Sequence, residues 1–364
     1  MMAEERPVKP AGRECELFND NIFCALRAYA QVPDDFVNAG WSLDQLQNGG
    51  GKGGTLMARV GSTYIVKELS KSDHAVLLEL AGSYGQHVRS GETLLCPIYL
   101  HFRDVVTGRV FFAMRNSIGV GPFAALYDLK GCADDKLIEK GGEPIKAVHK
   151  RIWNVGMWAG KCSWSKDRRI YHQGKVEARS VEIPLMPDQR EKVLKAIERD
   201  TQWLASHRLM DYSLLVAVKS APSGVSASGG SAPSALGQRP LLYKTNEGQD
   251  MATYIAIIDF LQRWTAGKRV ARVIKCMECN KATVPPKCYA RRFSHHFAGR
   301  LVALPAASAA SGAAGAAAAK APVGVAPPAG DCGQEGQPED RLNSRPIPED
   351  GACETLSGKG NLRL

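Results

Sequence analysis

Phe18, Ile22, Leu26 and Tyr29 recur three and four residues apart in "ELFNDNIFCALRAYA", and this spacing predicts an amphipathic helix. The next patterned stretch, "NGGGKGGTLMARVGSTYIVKEL", contains two strand-like runs and a glycine-rich turn. A second helix is predicted over "SDHAVLLELAGSYGQHV", where the leading Ser and Asp suit a cap. Strands are expected around "TLLCPIYLHF" and "GRVFFAMRNS". From Pro187 to His207, "DQREKVLKAIERDTQWLASH" has helical periodicity, and "DYSLLVAV" leads out of it as a strand. "ATYIAIIDFL" reads as a further strand. Helices and strands mixed in this way indicate an α/β (α+β) chain.

Three segments lack any apolar period. Residues 1–14, rich in charge and proline, read as a disordered leader, so that order begins near Cys15. "APSGVSASGGSAPSALGQ", from Ala221 to Gln238, has the composition of a flexible linker and is the expected first internal protease site. Alanine makes up half of the 28 residues from Ala303 to Gly330, and an acidic tail follows, so 303–364 is expected to be disordered. The ordered domain is thus 15–302, with a low-complexity insert at 220–240, an N-terminal lobe to about residue 120 and a C-terminal lobe beyond it.

The chain has 364 residues, 44% of them hydrophobic, which suffices for a core. No run of about eighteen apolar residues occurs, and the opening "MMAEERPVKP" has no apolar core, so neither a transmembrane span nor a signal peptide is expected. Ten scattered cysteines fit a reducing compartment and hence the cytoplasm. The net charge of +10 is concentrated between Phe260 and Arg300, where ten Lys or Arg face a single acid, Glu278. Such a segment seeks polyanions, either nucleic-acid phosphates or an anionic membrane leaflet, unless it is simply a solvated surface.

"RLMDYSLLV" places Asp211 inside an apolar strand, and "IIDFL" does the same with Asp259. A carboxylate in such a setting is costly unless it has a partner, a metal or a reaction to serve. Gly49, Gly50, Gly51, Gly53 and Gly54 form a turn whose backbone could close over phosphates. It is not a Walker A loop, because Leu46 and Gly53 occupy positions that need Gly and Ser or Thr. Lys67, in "YIVKEL", stands where protein kinases hold the lysine that pairs the α and β phosphates of ATP, although a strand lysine can also snorkel to the surface. Phosphoryl transfer needs two carboxylates, one to position the attacking hydroxyl and one to hold Mg²⁺.

"YDLKGC" (127–132), "MDYSLL" (210–215) and "YIAIIDFLQ" (254–262) closely resemble three signatures of the phosphatidylinositol phosphate kinases. The glycine loop with "YIVKEL", then "FFAMRN", "IERDTQWL" and "PPKCYARRF" follow the family order, so the likeness covers about residues 15 to 300. The resemblance implies a two-lobed kinase-like fold with antiparallel sheets and flanking helices, and a flat basic face that lies on the membrane. It implies ATP and Mg²⁺ as cofactors, with Gly51, Gly53, Gly54 and Lys67 on ATP, Asp211 as the catalytic aspartate and Asp259 as the Mg²⁺ ligand. Lys130 would contact the transferred phosphate or its acceptor, supported by Asp128. Lys268, Arg269, Arg272, Lys275, Arg291 and Arg292 lie on the segment that faces the bilayer in this family.

The implied reaction is transfer of the γ-phosphate to phosphatidylinositol 4-phosphate or 5-phosphate, giving the 4,5-bisphosphate, at the cytosolic face of the plasma membrane. Ala271 stands where kinases of the 5-phosphate lipid carry Ala and those of the 4-phosphate lipid carry Glu, which favours a 4-kinase. A 3-phosphate 5-kinase and an inactive lipid-binding member are the alternatives. Several residues depart from the family pattern: Cys132 replaces a serine, and Asp134 and Asp135 stand near a usual arginine, where they are expected to repel an anionic headgroup. Asp73 and Glu79 both remain candidates for the acid paired with Lys67. "CMEC" (276–279) with Cys288 lacks a second close pair for zinc. The basic segment carries no nucleic-acid motif, so the expected partner is the lipid in an anionic membrane, with a homodimer left open.

Overall fold

The computed structural model describes residues 8–33, 35–38, 45–48, 56–148, 164–221, 236–245, 247–265 and 283–305. They fall within one unit, Met1–Ser308; a second unit, Ala309–Leu364, lies outside the described residues. In chain order the first elements are β1 (Cys15–Leu17), α1 (Asp20–Tyr29), β2 (Gln47–Asn48), β3 (Leu56–Val60), β4 (Tyr64–Glu68), α2 (Lys71–Arg89), β5 (Ile98–Asp104) and β6 (Val110–Arg115). Then follow β7 (Ala125–Leu129), β8 (Lys136–Lys140), β9 (Glu143–Pro144), α3 (Lys166–Ser180), β10 (Ile183–Leu185) and α4 (Pro187–Ser206). The last are β11 (Ser213–Ser220), β12 (Leu241–Lys244), β13 (Asp250–Ile258), α5 (Pro286–Arg300) and β14 (Leu301–Ala303).

Two six-stranded sheets organise the described residues, in the orders β1-β5-β6-β4-β3-β2 and β12-β13-β11-β7-β8-β9. Every pairing in both is antiparallel, as short hairpin connections allow. Among the named strands the only parallel pairing joins β10 to β14, and an isolated parallel bridge links Leu95 to Ile257. This mixed, kinase-like α/β architecture is the fold class that the sequence implied. Phe23, Leu77, Tyr84, Phe102 and Phe111 fill the core of the first sheet and its helices, each worth about 1.5–3 kcal/mol when withdrawn from water. In the second lobe α4 packs on α5 through a core that includes Leu204, Tyr289, Phe293 and Phe297.

Several boundaries differ from the sequence reading. The described chain starts at Val8, ahead of Cys15: Val8 is buried, and Ala11 donates to Val37 O at 3.0 Å. The first predicted helix loses its opening residues to β1, whose Leu17 pairs with Phe102 at the edge of the first sheet. The cap of α2 is Ser70, which accepts from the Asp73 amide at 3.2 Å. The end of the predicted linker is packed: Leu236–Gln238 forms a 3-10 turn, and a Cβ on Gly237 would come within 3.2 Å of Leu94 and Ile255 backbone atoms. Residues 222–235 lie outside the described set. At the other end, β14 runs through Ala303 and Leu304 N donates to Leu185 O at 2.8 Å, so the fold extends past 302.

Candidate active site

Antiparallel pairing brings the candidate residues to one end of the second sheet. Ser213, the first residue of β11, lies opposite Ile258, the last of β13, while Leu214 lies opposite Leu129, the last of β7. Asp211 just before β11, Asp259 just after β13 and Lys130 just after β7 therefore emerge side by side. Lys136, Asp128, Leu215 and Ala256 stand opposite one another across four strands, so these four side chains share one face. Further along that face, Ile118, Phe123, Leu126 and Ala217 form a small apolar cluster with Ile138 and Tyr254 packed on it.

The loops bearing the two carboxylates are locked together. Met210 N donates to Gln262 O and Trp264 N to Arg208 O, both at 2.9 Å. Asp211 and Asp259 take left-handed backbone conformations, with φ of 66° and 55°, a region that non-glycine residues adopt at some cost and that aspartate tolerates better than most. Met210 and Tyr212 on either side of Asp211 are fully buried, and Tyr289 of α5 donates its hydroxyl to Tyr212 O at 2.5 Å. Buried neighbours thus fix Asp211, whose own side chain stays partly exposed.

Each acid there faces a lysine. Lys67 Nζ, from β4 of the first sheet, lies 2.6 Å from Asp259 Oδ1. Lys130 Nζ lies 2.5 Å from Asp211 Oδ1 and 2.6 Å from its carbonyl oxygen. Lys136 Nζ lies 2.6 Å from Asp128 Oδ2. For Asp259, desolvation raises the carboxyl pKa, but Lys67, with Lys130 and Lys136 beyond it, more than reverses this, and the net shift is downward. Asp259 is thereby kept ionised, with its side chain 54% exposed.

Neither sequence candidate is the direct partner of Lys67. Glu79 binds Arg263 at 2.6 Å, and that guanidinium holds its carboxyl low. Asp73 accepts from Ser70 Oγ at 2.8 Å; desolvation lifts its carboxyl, opposed by Ser70 and Lys67. No group of three or more His, Cys, Asp or Glu among the described residues forms a closed metal cage. Mg²⁺ binds through one or two carboxylates together with substrate phosphates, and the exposed, ionised Asp259 has the chemistry to serve as one of them.

Gly51, Gly53 and Gly54 lie outside the described residues, as do Lys268, Arg269, Ala271, Arg272, Lys275 and the CMEC cysteines. Arg291 is exposed on α5, whereas Arg292 turns inward, its guanidinium 5.1 Å from the Tyr289 ring centre. Asp135 is fully buried with its carboxylate bound by amides of its own turn, so it is not presented to a headgroup. Cys132 is buried as well, and desolvation pushes its thiol up to about 11, leaving it inert.

The sequence reading passed over Asp200. It is fully buried on α4, where it accepts from His87 Nε2 at 2.7 Å, Thr93 Oγ1 at 2.8 Å and Leu94 N at 2.7 Å, tying α4 to the end of α2 and the segment after it. The adjoining Arg199 donates to Glu92 O at 2.7 Å and His87 O at 2.8 Å. The signal was present: Asp200 interrupts the apolar stripe of Val193, Ile197 and Leu204.

Residues 40–240 and 235–299 match the family described as Phosphatidylinositol-4-phosphate 5-Kinase, which is well over half of the chain. This chain belongs to the phosphatidylinositol phosphate kinases. Among curated relatives, a Drosophila melanogaster protein named a 1-phosphatidylinositol 3-phosphate 5-kinase is 24% identical over 262 residues, 67% of this chain and 12% of the relative. A Danio rerio protein named Phosphatidylinositol 5-phosphate 4-kinase type-2 gamma is 23% identical over 221 residues, 59% of this chain and 48% of the relative. The chain therefore spans less than half the length of either relative. In this phosphatidylinositol phosphate kinase, Lys67, Asp128, Lys130, Asp211 and Asp259 all fall within the residues that match the family.

Proposed function

We propose that this chain transfers the γ-phosphoryl group of ATP to a ring hydroxyl of a phosphatidylinositol monophosphate, giving a phosphatidylinositol bisphosphate. The observation that carries this reading is the convergence of Asp211, Asp259, Lys130 and Lys67 at one sheet end. In the reaction a bond forms between the acceptor oxygen and the γ-phosphorus, and the bond from that phosphorus to the ADP oxygen breaks. Asp211 orients the acceptor hydroxyl and takes its proton. Lys130, already seated on Asp211, neutralises charge on the phosphoryl group in flight. Lys67 moves from Asp259 to the α and β phosphates, freeing that carboxylate. Mg²⁺, when bound on Asp259, supplies charge that stabilises the phosphate oxygens.

Docking falls to the basic segment between Phe260 and Arg300, which suits an anionic leaflet at the cytosolic face of a membrane; no described helix is long and apolar enough to cross one. Reversing several of Lys268, Arg269, Arg272 and Lys275 is expected to weaken vesicle binding steeply. For the lipid isomer, Ala271 favours the 5-phosphate lipid and phosphorylation at the 4-position. A second reading, the 3-phosphate lipid phosphorylated at the 5-position, is favoured by the name of the relative that matches the larger share of this chain. Labelled ATP with each of the three monophosphates in vesicles, followed by identification of the product isomer, decides between them. Absence of a labelled bisphosphate with all three overturns the proposal.

A further inference from the structure

The turn that carries Lys130 is folded around a carboxylate. Asp135 is fully buried, and its Oδ1 accepts from Lys130 N at 2.6 Å and from Cys132 N at 3.2 Å, with the Gly131 amide contributing to the same nest of N–H groups around the carboxylate. Gly131 between them has φ of 67°, and a Cβ there would come within 3.1 Å of His296 on α5. The turn is thus pressed against α5 on one side and wrapped around Asp135 on the other. Asp135 Oδ2 makes no hydrogen bond among the described residues, and His296 Nε2 is 3.9 Å away. Burial pushes the His296 imidazole down to about 4, so the neighbour of Oδ2 is uncharged at neutral pH. Asp135 therefore serves the backbone and not a salt bridge.

We propose that Asp135 is a positioning residue for Lys130: one buried carboxylate oxygen gathers the amides of the turn and sets the lysine main chain so that Nζ reaches Asp211. This rests on the phosphoryl-transfer reading for its effect on rate, but its geometric content stands independently. The essential feature is an acceptor oxygen at that point, not a negative charge. A misplacement of about 1 Å in such a group lowers turnover by about a hundredfold.

The test compares Asp135→Asn, which keeps the acceptor oxygen, with Asp135→Ala, which removes it, in the full chain. In crystal structures the proposal expects Lys130 Nζ within hydrogen-bonding distance of Asp211 in the Asn variant and displaced from it in the Ala variant. An Ala variant with Lys130 unmoved overturns the proposal, whatever the protein phosphorylates. Should the Ala variant fail to fold, the Asn variant carries the test: loss of the Lys130–Asp211 contact there shows that charge, not the acceptor, sets the turn. In turnover, Asp135→Ala is expected to lower kcat about tenfold to a hundredfold with little change in KM for ATP, and to add nothing further in a Lys130→Ala background. Full additivity of the two substitutions, or a raised rate in Asp135→Ala, contradicts it. Absence of turnover in the unmodified chain counts against the reaction and leaves the crystallographic arm intact.

Discussion

Lys67 Nζ lies 2.6 Å from Asp259 Oδ1, and this one contact joins the middle of β4 in the first sheet to the end of β13 in the second. In the proposed reaction both groups act on the same nucleotide, and their pairing would hold the end of the second sheet against the first before ATP binds. Asp259→Asn and Asp211→Asn are each expected to lower turnover by about three orders of magnitude with the melting temperature nearly unchanged. Lys67→Met is expected to act chiefly through weaker ATP binding, read as a raised KM. Steady-state kinetics on the three variants checks this, and a near-normal rate in either aspartate variant removes that residue from its role.

The same pair predicts an acid limit. The Asp259 carboxyl is depressed below its usual 3.8, so the stabilisation from Lys67 is fully present above that value and disappears as pH falls through the lower, folded-state value. Acid unfolding above pH 4 must therefore come from other groups. His101 is one: fully buried, it hydrogen-bonds His74 at 2.9 Å, and burial pushes its imidazole down from 6.5 to about 3. Unfolding lets it take a proton, so stability is expected to fall as pH drops below about 6.5. Replacing His101 with Leu should flatten the melting temperature between pH 6.5 and 4, as differential scanning calorimetry would record; an unchanged slope would assign the dependence elsewhere.

Asp200 is expected to matter for stability more than for chemistry. Asp200→Ala would strand three buried donors, those of His87, Thr93 and Leu94, at a cost of about 3–5 kcal/mol. Asp200→Asn keeps one acceptor and should lose less. Urea unfolding monitored by Trp203, which stacks on His87 with ring centres 4.9 Å apart, reads both.

The structural boundaries give a fourth expectation. A chain of residues 8–305 should melt as the full chain does, whereas 15–302 should melt several degrees lower, because it lacks buried Val8 and the Leu304–Leu185 hydrogen bond. Equal melting temperatures for the two would show that those contacts contribute little.

Much of this site was legible because a charge in an apolar run is conspicuous. Asp211 and Asp259 could be picked out in that way, and Asp200 could have been by the same logic on a helix. The Asp128–Lys136 pair could not be, since it depends on the register between β7 and β8, which two sequence segments do not reveal separately. Asp135 was misread as facing a headgroup because its burial comes from α5, far along the chain, closing over the turn. α3 went unassigned for a different reason: it buries only Arg168, Gly174 and Ala178, so it has no apolar stripe to detect. The two residues that first read as helix and form β1 instead illustrate tertiary pairing overriding local periodicity.

The most direct test of the central claim is incorporation of labelled phosphate from ATP into phosphatidylinositol monophosphate vesicles by the full chain, with Asp211→Asn as the matched control. The account predicts a labelled bisphosphate from at least one monophosphate and its near-complete loss in the control. A folded, vesicle-bound chain that yields no labelled lipid, or an Asp211→Asn variant that yields as much as the unmodified chain, contradicts it.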